Sequence, residues 1–184
     1  MKKHIVCFGD SNTHGYCADP SDCADGGIRF NESERWTKLL QEKLGEDYLV
    51  IEEGLSGRTT VFVDPLHESM DALSVAYPLL KSHEFIDLLI IMLGTNDSAS
   101  KGPTGSPVSN ADYKKNLLTI ISRLREMCPE SIFVLHRPIW YSPNTYNGAR
   151  YLVAGLNRAT EYITVLEELA QENGDIYLGD CESY

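Results

Sequence analysis

A chain of 184 residues has the length of one domain, and its 42% hydrophobic and 23% charged residues are typical of a soluble globular protein. With 27 acidic against 16 basic residues, the formal net charge is −11, which argues against nucleic acid or an anionic membrane surface as a partner because both would repel the chain. No apolar run approaches the roughly 18 residues of a membrane span, and the N-terminal apolar run is too short for a signal peptide. We therefore expect a cytoplasmic protein.

Short apolar runs alternate with longer amphipathic segments along the chain. In chain order the sequence predicts strand 5–8, helix 34–44, strand 48–51, helix 69–81, strand 86–93, helix 110–127, strand 132–135, helix 149–171 and strand 176–178. Strands that alternate with helices favour a parallel sheet covered on both sides. The expected fold class is α/β, a three-layer α/β/α sandwich with a flavodoxin-like five-stranded sheet in a single domain over residues 1–184.

Two long loops follow predicted strands, at residues 98–109 and 137–148. Both lie on the side where open α/β sheets bind ligands, and long loops in compact domains are often functional. The second loop and its flank contain the aromatic residues Trp140, Tyr141, Tyr146 and Tyr151. The sequence leaves two interpretations open, either packing of the loop or a wall for an acyl or aryl group.

Small or polar residues follow each of the first three predicted strands. Ser11 lies in Gly-Asp-Ser-Asn, Gly54 directly follows Glu-Glu, and Asn96 lies in Gly-Thr-Asn-Asp. A serine at a strand-to-helix turn presents its hydroxyl and an N–H that can hold developing negative charge. A glycine admits a second backbone N–H, and an asparagine supplies a side-chain donor. Each motif alone is a common turn or cap, but together they predict a nucleophile beside an oxyanion site.

Three blocks of the sequence resemble the first three blocks of the GDSL (SGNH) hydrolases. They are 8–15 (Phe-Gly-Asp-Ser-Asn-Thr-His-Gly), 52–60 (Glu-Glu-Gly-Leu-Ser-Gly-Arg-Thr-Thr) and 91–97 (Ile-Met-Leu-Gly-Thr-Asn-Asp). The second block is most similar to the branch that contains arylesterase and acyltransferase-type enzymes. The resemblance implies that Ser11 attacks an ester, and that the N–H groups of Ser11 and Gly54 and the side chain of Asn96 stabilise the oxyanion.

The family's fourth block, an Asp-x-x-His near the C-terminus whose histidine is the general base, has no counterpart at the expected place. Ser183 stands three residues after Asp180, and no histidine follows His136. The resemblance therefore implies that the catalytic C-terminal segment and the last helix are missing. A serine without a base is a poor nucleophile. His136 ends a predicted strand on the active-site side and could substitute, but we favour a locally bonded loop histidine because a base must reach the serine hydroxyl.

Two interpretations of function follow. The favoured one is a serine esterase of small carboxylic esters, working through an acyl-enzyme on Ser11 without a cofactor or metal. The alternative is a truncated, catalytically weak or inactive relative that binds an ester or carbohydrate in the same cleft. A nucleotide binder is disfavoured because the first turn lacks a glycine-rich phosphate loop and its lysine.

Two further expectations concern Arg58 and association. Arg58 could touch a substrate carbonyl or pair with an acidic neighbour, and pairing is the favoured interpretation. A missing segment would leave apolar sheet surface uncovered, so we expect a homo-oligomer.

Overall fold

The computed structural model describes residues 1–23, 27–60, 71–83, 85–99, 106–139 and 153–180. Five strands form one parallel sheet: β1 (Lys3–Gly9), β2 (Tyr48–Gly54), β3 (Leu88–Met92), β4 (Ile132–His136) and β5 (Ile176–Gly179). Their order in space is β2-β1-β3-β4-β5, so the direction of winding changes at β1 and the carboxyl ends of β1 and β3 flank a switch point. Open α/β sheets bind ligands at such a point. The predicted fold class and flavodoxin-like strand order are confirmed.

Within the described residues, six α-helices connect or follow the strands. They are α1 (Ser11–His14), α2 (Trp36–Leu44), α3 (Ala72–Leu80), α4 (Thr95–Ser98), α5 (Asn110–Met127) and α6 (Val153–Glu172), and a 3-10 helix spans Pro20–Asp22. The predicted helix 110–127 is observed with the same bounds. The sequence predicted turns where the short helices α1 and α4 lie, because four residues are too few for a periodic pattern. None of the helices described is long and apolar enough to cross a membrane.

The core lies on one face of the sheet, against α3, α5 and α6. The strand residues that form it alternate along each strand, as a pleated sheet requires; they are Val6, Phe8, Leu89, Ile91, Phe133, Leu135 and Ile176. Above them, Tyr113 of α5 stacks on Tyr162 of α6 with ring centroids 4.1 Å apart. This packing fixes the helices that follow the strands and therefore the strand ends themselves.

The opposite face is unevenly covered over the described residues. At β2, the hydroxyl of Thr37 in α2 donates to Glu52 at 2.5 Å. β2 itself continues to Gly54, beyond the predicted strand 48–51, because its last three residues pair with Cys7, Phe8 and Gly9 of β1. On β4 and β5 of the same face, Ile132 and Tyr177 are 42% and 54% exposed, so apolar surface faces solvent there.

Candidate active site

Ser11 is the first residue of α1, directly after the carboxyl end of β1. Asp10 caps this helix: its Oδ1 accepts the Asn12 N–H at 2.9 Å, and the Asp10 side chain is completely buried. An N-cap carboxyl satisfies a helix donor that would otherwise lack a partner. The cap fixes where α1 begins, and it therefore fixes the position of the Ser11 hydroxyl and N–H.

Gly54 ends β2 directly beneath the backbone of α1. A Cβ at Gly54 would lie 2.2 Å from the His14 nitrogen, so only a glycine lets the helix pack on this strand end. The Leu55 N–H donates to the Gly9 carbonyl of β1 at 3.1 Å. Successive N–H groups of a strand point to opposite edges, so the Gly54 N–H is directed away from β1. Close packing with α1 explains the glycine, and an oxyanion role for its N–H stays a prediction.

A tight turn follows Gly54 and carries a second glycine toward β3. The Arg58 N–H donates to the Leu55 carbonyl at 3.1 Å, and Gly57 has a φ of 85°. This is the turn position where glycine is preferred, because residues with a Cβ rarely adopt such a φ. The turn ends against Asn96, whose Nδ2 donates to the Arg58 carbonyl at 3.0 Å. Gly57 is the glycine next to that contact; sequence reasoning missed it, although Ser-Gly-Arg was a visible turn signal.

Asn96 lies in α4 at the carboxyl end of β3, with only 4% of its surface exposed. Gly94 precedes this helix with a φ of 130°, and a Cβ there would meet the Tyr113 hydroxyl at 3.0 Å. That hydroxyl donates to the Leu93 carbonyl at 2.7 Å. The core residue Tyr113 therefore holds the backbone at Leu93, just before α4. The Asn96 amide is held by the turn that follows β2.

A buried polar network lies behind these groups. Asp97 accepts the Thr60 N–H at 2.9 Å and the Thr60 hydroxyl at 2.5 Å, and the Asn116 amide donates to the same hydroxyl at 3.1 Å. Burial raises the pKa of Asp97 to about 6, while the Thr60 hydrogen bonds lower it. Burial also raises the pKa of Asp10 to about 7, and the charge of Asp97 adds to that rise. Two fully buried carboxyls thus lie close enough for their charges to interact.

Arg58 is 97% buried, and its side chain binds main-chain carbonyls instead of the acidic side chain that the sequence favoured as its partner. Its Nη1 donates to two main-chain carbonyls, Gly9 at 2.9 Å and Glu53 at 2.6 Å, and its guanidinium lies 4.4 Å from the centre of the Phe8 ring. Burial lowers the pKa of Arg58 to about 10, and the charges of Glu53 and Asp10 oppose the fall. Arg58 is cationic at neutral pH and binds the ends of β1 and β2.

His14 lies one helical turn after Ser11 and is held in place. Burial lowers its pKa, the nearby Arg29 lowers it further, and a hydrogen bond to the Gly54 backbone opposes both. The Arg29 Nε also donates to the His14 carbonyl at 2.7 Å. His14 therefore joins α1 to the end of β2.

His136 is the last residue of β4, as the sequence predicted. Its Nδ1 lies 3.1 Å from the Arg137 carbonyl oxygen, and its ring centroid is 6.5 Å from that of Trp36. The Trp36 Nε1 donates to the Asn12 carbonyl at 3.2 Å. Trp36 thus lies between His136 and the helix that begins with Ser11. The contact with Arg137 agrees with a locally bonded histidine.

The remaining histidines have partners of their own or lie outside the described residues. His4 Nδ1 is 3.1 Å from the Phe85 carbonyl oxygen, and His83 Nε2 is 3.0 Å from Glu53 Oε1. The His83 side chain is partly buried, with 17% of its surface exposed. His67 lies outside the described residues.

Other predicted features lie partly or wholly outside the described residues. The aromatic residues of the second long loop do so entirely: Trp140, Tyr141, Tyr146 and Tyr151. Asp180 lies just after β5, with its Oδ1 3.6 Å from Arg137 Nη1. Within the part of the chain that is described, no group of three or more histidine, cysteine or carboxylate side chains is arranged to hold a metal ion.

Comparison with known proteins identifies the family. The profile of the GDSL-like lipase/acylhydrolase family matches residues 7–179. A solved structure of the native M. smegmatis aryl esterase is 30% identical with a TM-score of 0.80, covering 96% of this chain and 83% of that one. A carbohydrate acetylesterase from Sinorhizobium meliloti is 25% identical with a TM-score of 0.80, covering 96% of this chain and 84% of that one.

A lipase/acylhydrolase from Enterococcus faecalis shares the fold at 22% identity and a TM-score of 0.64, covering 97% of this chain and 75% of that one. A comparison with curated proteins gives no significant match. The family match covers nearly the whole chain, so the chain belongs to the GDSL (SGNH) hydrolases, and it is an ester hydrolase.

Proposed function

We propose that the protein is a serine esterase that cleaves small carboxylic esters through an acyl-enzyme on Ser11. The Ser11 Oγ attacks the ester carbonyl carbon, the alcohol leaves, and water or a second alcohol releases the acyl group. The observation that carries this proposal is the convergence at the sheet's switch point. There α1 begins with Ser11, and the turn after β2 contacts Asn96.

The tetrahedral intermediate needs donors for its negative oxygen. We assign them to the Ser11 N–H, the Asn96 side-chain amide and a backbone N–H of the turn after β2. Gly54 is the donor expected from the sequence, but Gly57 is favoured on geometry because the Gly54 N–H is directed away from β1. Removal of one such donor costs about 100- to 1,000-fold in kcat in other serine hydrolases.

The proton of the Ser11 hydroxyl requires a base. His136 is one candidate within the sequence, at the end of β4 behind Trp36. His67 is another: Asp64 to His67 has the Asp-x-x-His spacing, although both lie outside the described residues. Without an efficient base, esters with activated aryl leaving groups react faster than alkyl esters, because an alkoxide needs a proton to leave.

The proposed substrates are acetate esters of aryl alcohols or of carbohydrate hydroxyls. Two structural neighbours, an aryl esterase and a carbohydrate acetylesterase, support this range. A net charge of −11 gives no electrostatic help to anionic acyl groups, which favours neutral esters.

Hydrolysis of p-nitrophenyl acetate and of an acetylated sugar tests the proposal. We expect saturable turnover of the aryl ester that Ser11→Ala abolishes, with His136→Ala and His67→Ala identifying the base. A Ser11→Ala variant with the wild-type rate would refute the assignment. Binding of an acetylated sugar without turnover of either ester would instead support the non-catalytic alternative.

A further inference from the structure

One buried arginine touches several parts of the active-site backbone at once. The guanidinium of Arg58 binds the carbonyls of Gly9 and Glu53, which are the last strand positions before Asp10 and Gly54. Asp10 in turn caps the helix that begins with Ser11. The guanidinium therefore fixes the two peptide groups from which the nucleophile helix and the turn after β2 depart.

The main chain of Arg58 also contacts Asn96 of α4. Its carbonyl accepts from the Asn96 Nδ2 at 3.0 Å, and its N–H closes the turn that contains Gly57. A primary amide has two N–H bonds on one nitrogen. When one is directed at the Arg58 carbonyl, the plane of the Asn96 amide is fixed and so is the direction of the second.

We propose that Arg58 is the positioning residue of the oxyanion site, holding the turn after β2 and the Asn96 amide in register with Ser11. This inference rests on the proposed esterase function, because it assigns Arg58 a role only through those donors. Arg58 does not contact the ester itself. It acts on the rate of the acyl-transfer step by keeping the donors aligned with the developing oxyanion.

The chemistry of the site favours an arginine. Its Nη1 donates to both carbonyls while the guanidinium carbon lies over the Phe8 ring, whereas a lysine ammonium is a point charge with no flat face to lie over that ring. Main-chain carbonyls are uncharged, so the hydrogen bonds of the Arg58 side chain orient the backbone. At a depressed pKa of about 10 it stays protonated through the neutral range.

The test compares Arg58→Lys with a matched control, Arg125→Lys. Arg125 also lies over a core ring, 5.7 Å from the centre of Phe133, and it pairs with Asp175. Its contacts lie at the opposite, amino-terminal edge of the sheet. We expect Arg58→Lys to lower kcat for p-nitrophenyl acetate by about 10- to 1,000-fold with KM nearly unchanged. Arg125→Lys should lower the unfolding temperature and leave kcat unchanged.

The outcomes separate this proposal from the proposed function. If Ser11→Ala abolishes turnover but a folded Arg58→Lys keeps the wild-type kcat, the role of Arg58 is wrong and the esterase assignment stands. If Ser11→Ala has no effect, the esterase assignment itself fails. A rise in KM at constant kcat would also overturn the positioning role, because misaligned oxyanion donors act on the transition state.

A second measurement decides the matter if Arg58→Lys does not fold. In the wild-type protein, NMR should show slowly exchanging Arg58 Nη and Asn96 Nδ2 protons, since both groups are held in buried hydrogen bonds. Addition of a boronic acid that forms an adduct with Ser11 should then shift the Asn96 Nδ2 and Gly57 N–H resonances. Fast solvent exchange of both the Arg58 and Asn96 protons, or an adduct that leaves the Asn96 and Gly57 resonances unmoved, would overturn the proposal.

Discussion

Replacing Gly54 with alanine adds one methyl group at the point where β2 meets the nucleophile helix. The new Cβ would lie 2.2 Å from the His14 nitrogen and 2.5 Å from the Thr13 carbonyl carbon, whereas unstrained contacts of this kind are about 3.5 Å. The shortfall is about 1.3 Å at the closest atom. Both neighbours are backbone, so no side-chain rotation relieves the overlap, and α1 must move away from β2 by about 1 Å.

That displacement has two measurable consequences. Overpacking of this kind costs about 1–3 kcal/mol of unfolding free energy, and a shift of about 1 Å in Ser11 costs about 100-fold in kcat. Urea unfolding and hydrolysis of p-nitrophenyl acetate measure the two effects. Gly174→Ala is the control, because a Cβ at Gly174 meets nothing within 4 Å. Equal stability and equal kcat for the Gly54→Ala and Gly174→Ala variants would refute the packing argument.

Three more predictions follow from the same structure. Asn96→Ala removes the amide beside the Arg58 carbonyl and should lower kcat by about 100- to 1,000-fold; a change smaller than threefold would exclude Asn96 as a donor. Burial raises the pKa of Asp10 to about 7, so between about pH 4 and pH 7 the folded protein keeps a proton that the unfolded chain has lost. The free energy of unfolding should therefore fall as the pH rises through this range. In Asp10→Asn the free energy of unfolding should depend less on pH, and the remaining dependence should come from Asp97. Urea denaturation at several pH values measures this, and an unchanged pH dependence would contradict the raised pKa of Asp10. Tyr177→Lys should shift a wild-type oligomer toward monomer in light scattering, because Tyr177 lies on the apolar exposed face of β4 and β5; a monomeric wild-type protein would contradict the predicted association.

The strands and long helices could be predicted from the sequence because their signals are local. Buried parallel strands are continuous apolar runs, and α5 has an apolar repeat with Ser109 as its N-cap. The strand order followed from right-handed crossovers between short connections. Four-residue helices such as α1 and α4 gave no such signal, because α1 is held by its Asp10 cap and α4 by contacts with residues distant in the chain.

The site was predicted less completely, for a physical reason. The sequence pointed to Ser11, Gly54 and Asn96 through their places at strand ends. It could not distinguish Gly54 from Gly57, because that choice depends on strand register and on the closed turn after β2. Arg58 was expected to meet a charge, yet it binds carbonyls of residues that are 49 and 5 positions away in the chain. Main-chain acceptors have no sequence signature.

The central claim is that Ser11 carries the acyl group, and mass spectrometry of the quenched reaction tests it most directly. The protein is mixed with p-nitrophenyl acetate, acidified during turnover and digested. We expect an acetyl group on the peptide that contains Ser11, and neither the acetyl group nor turnover in Ser11→Ala. Acetylation of a different serine during turnover, or undiminished hydrolysis by Ser11→Ala, would contradict the account.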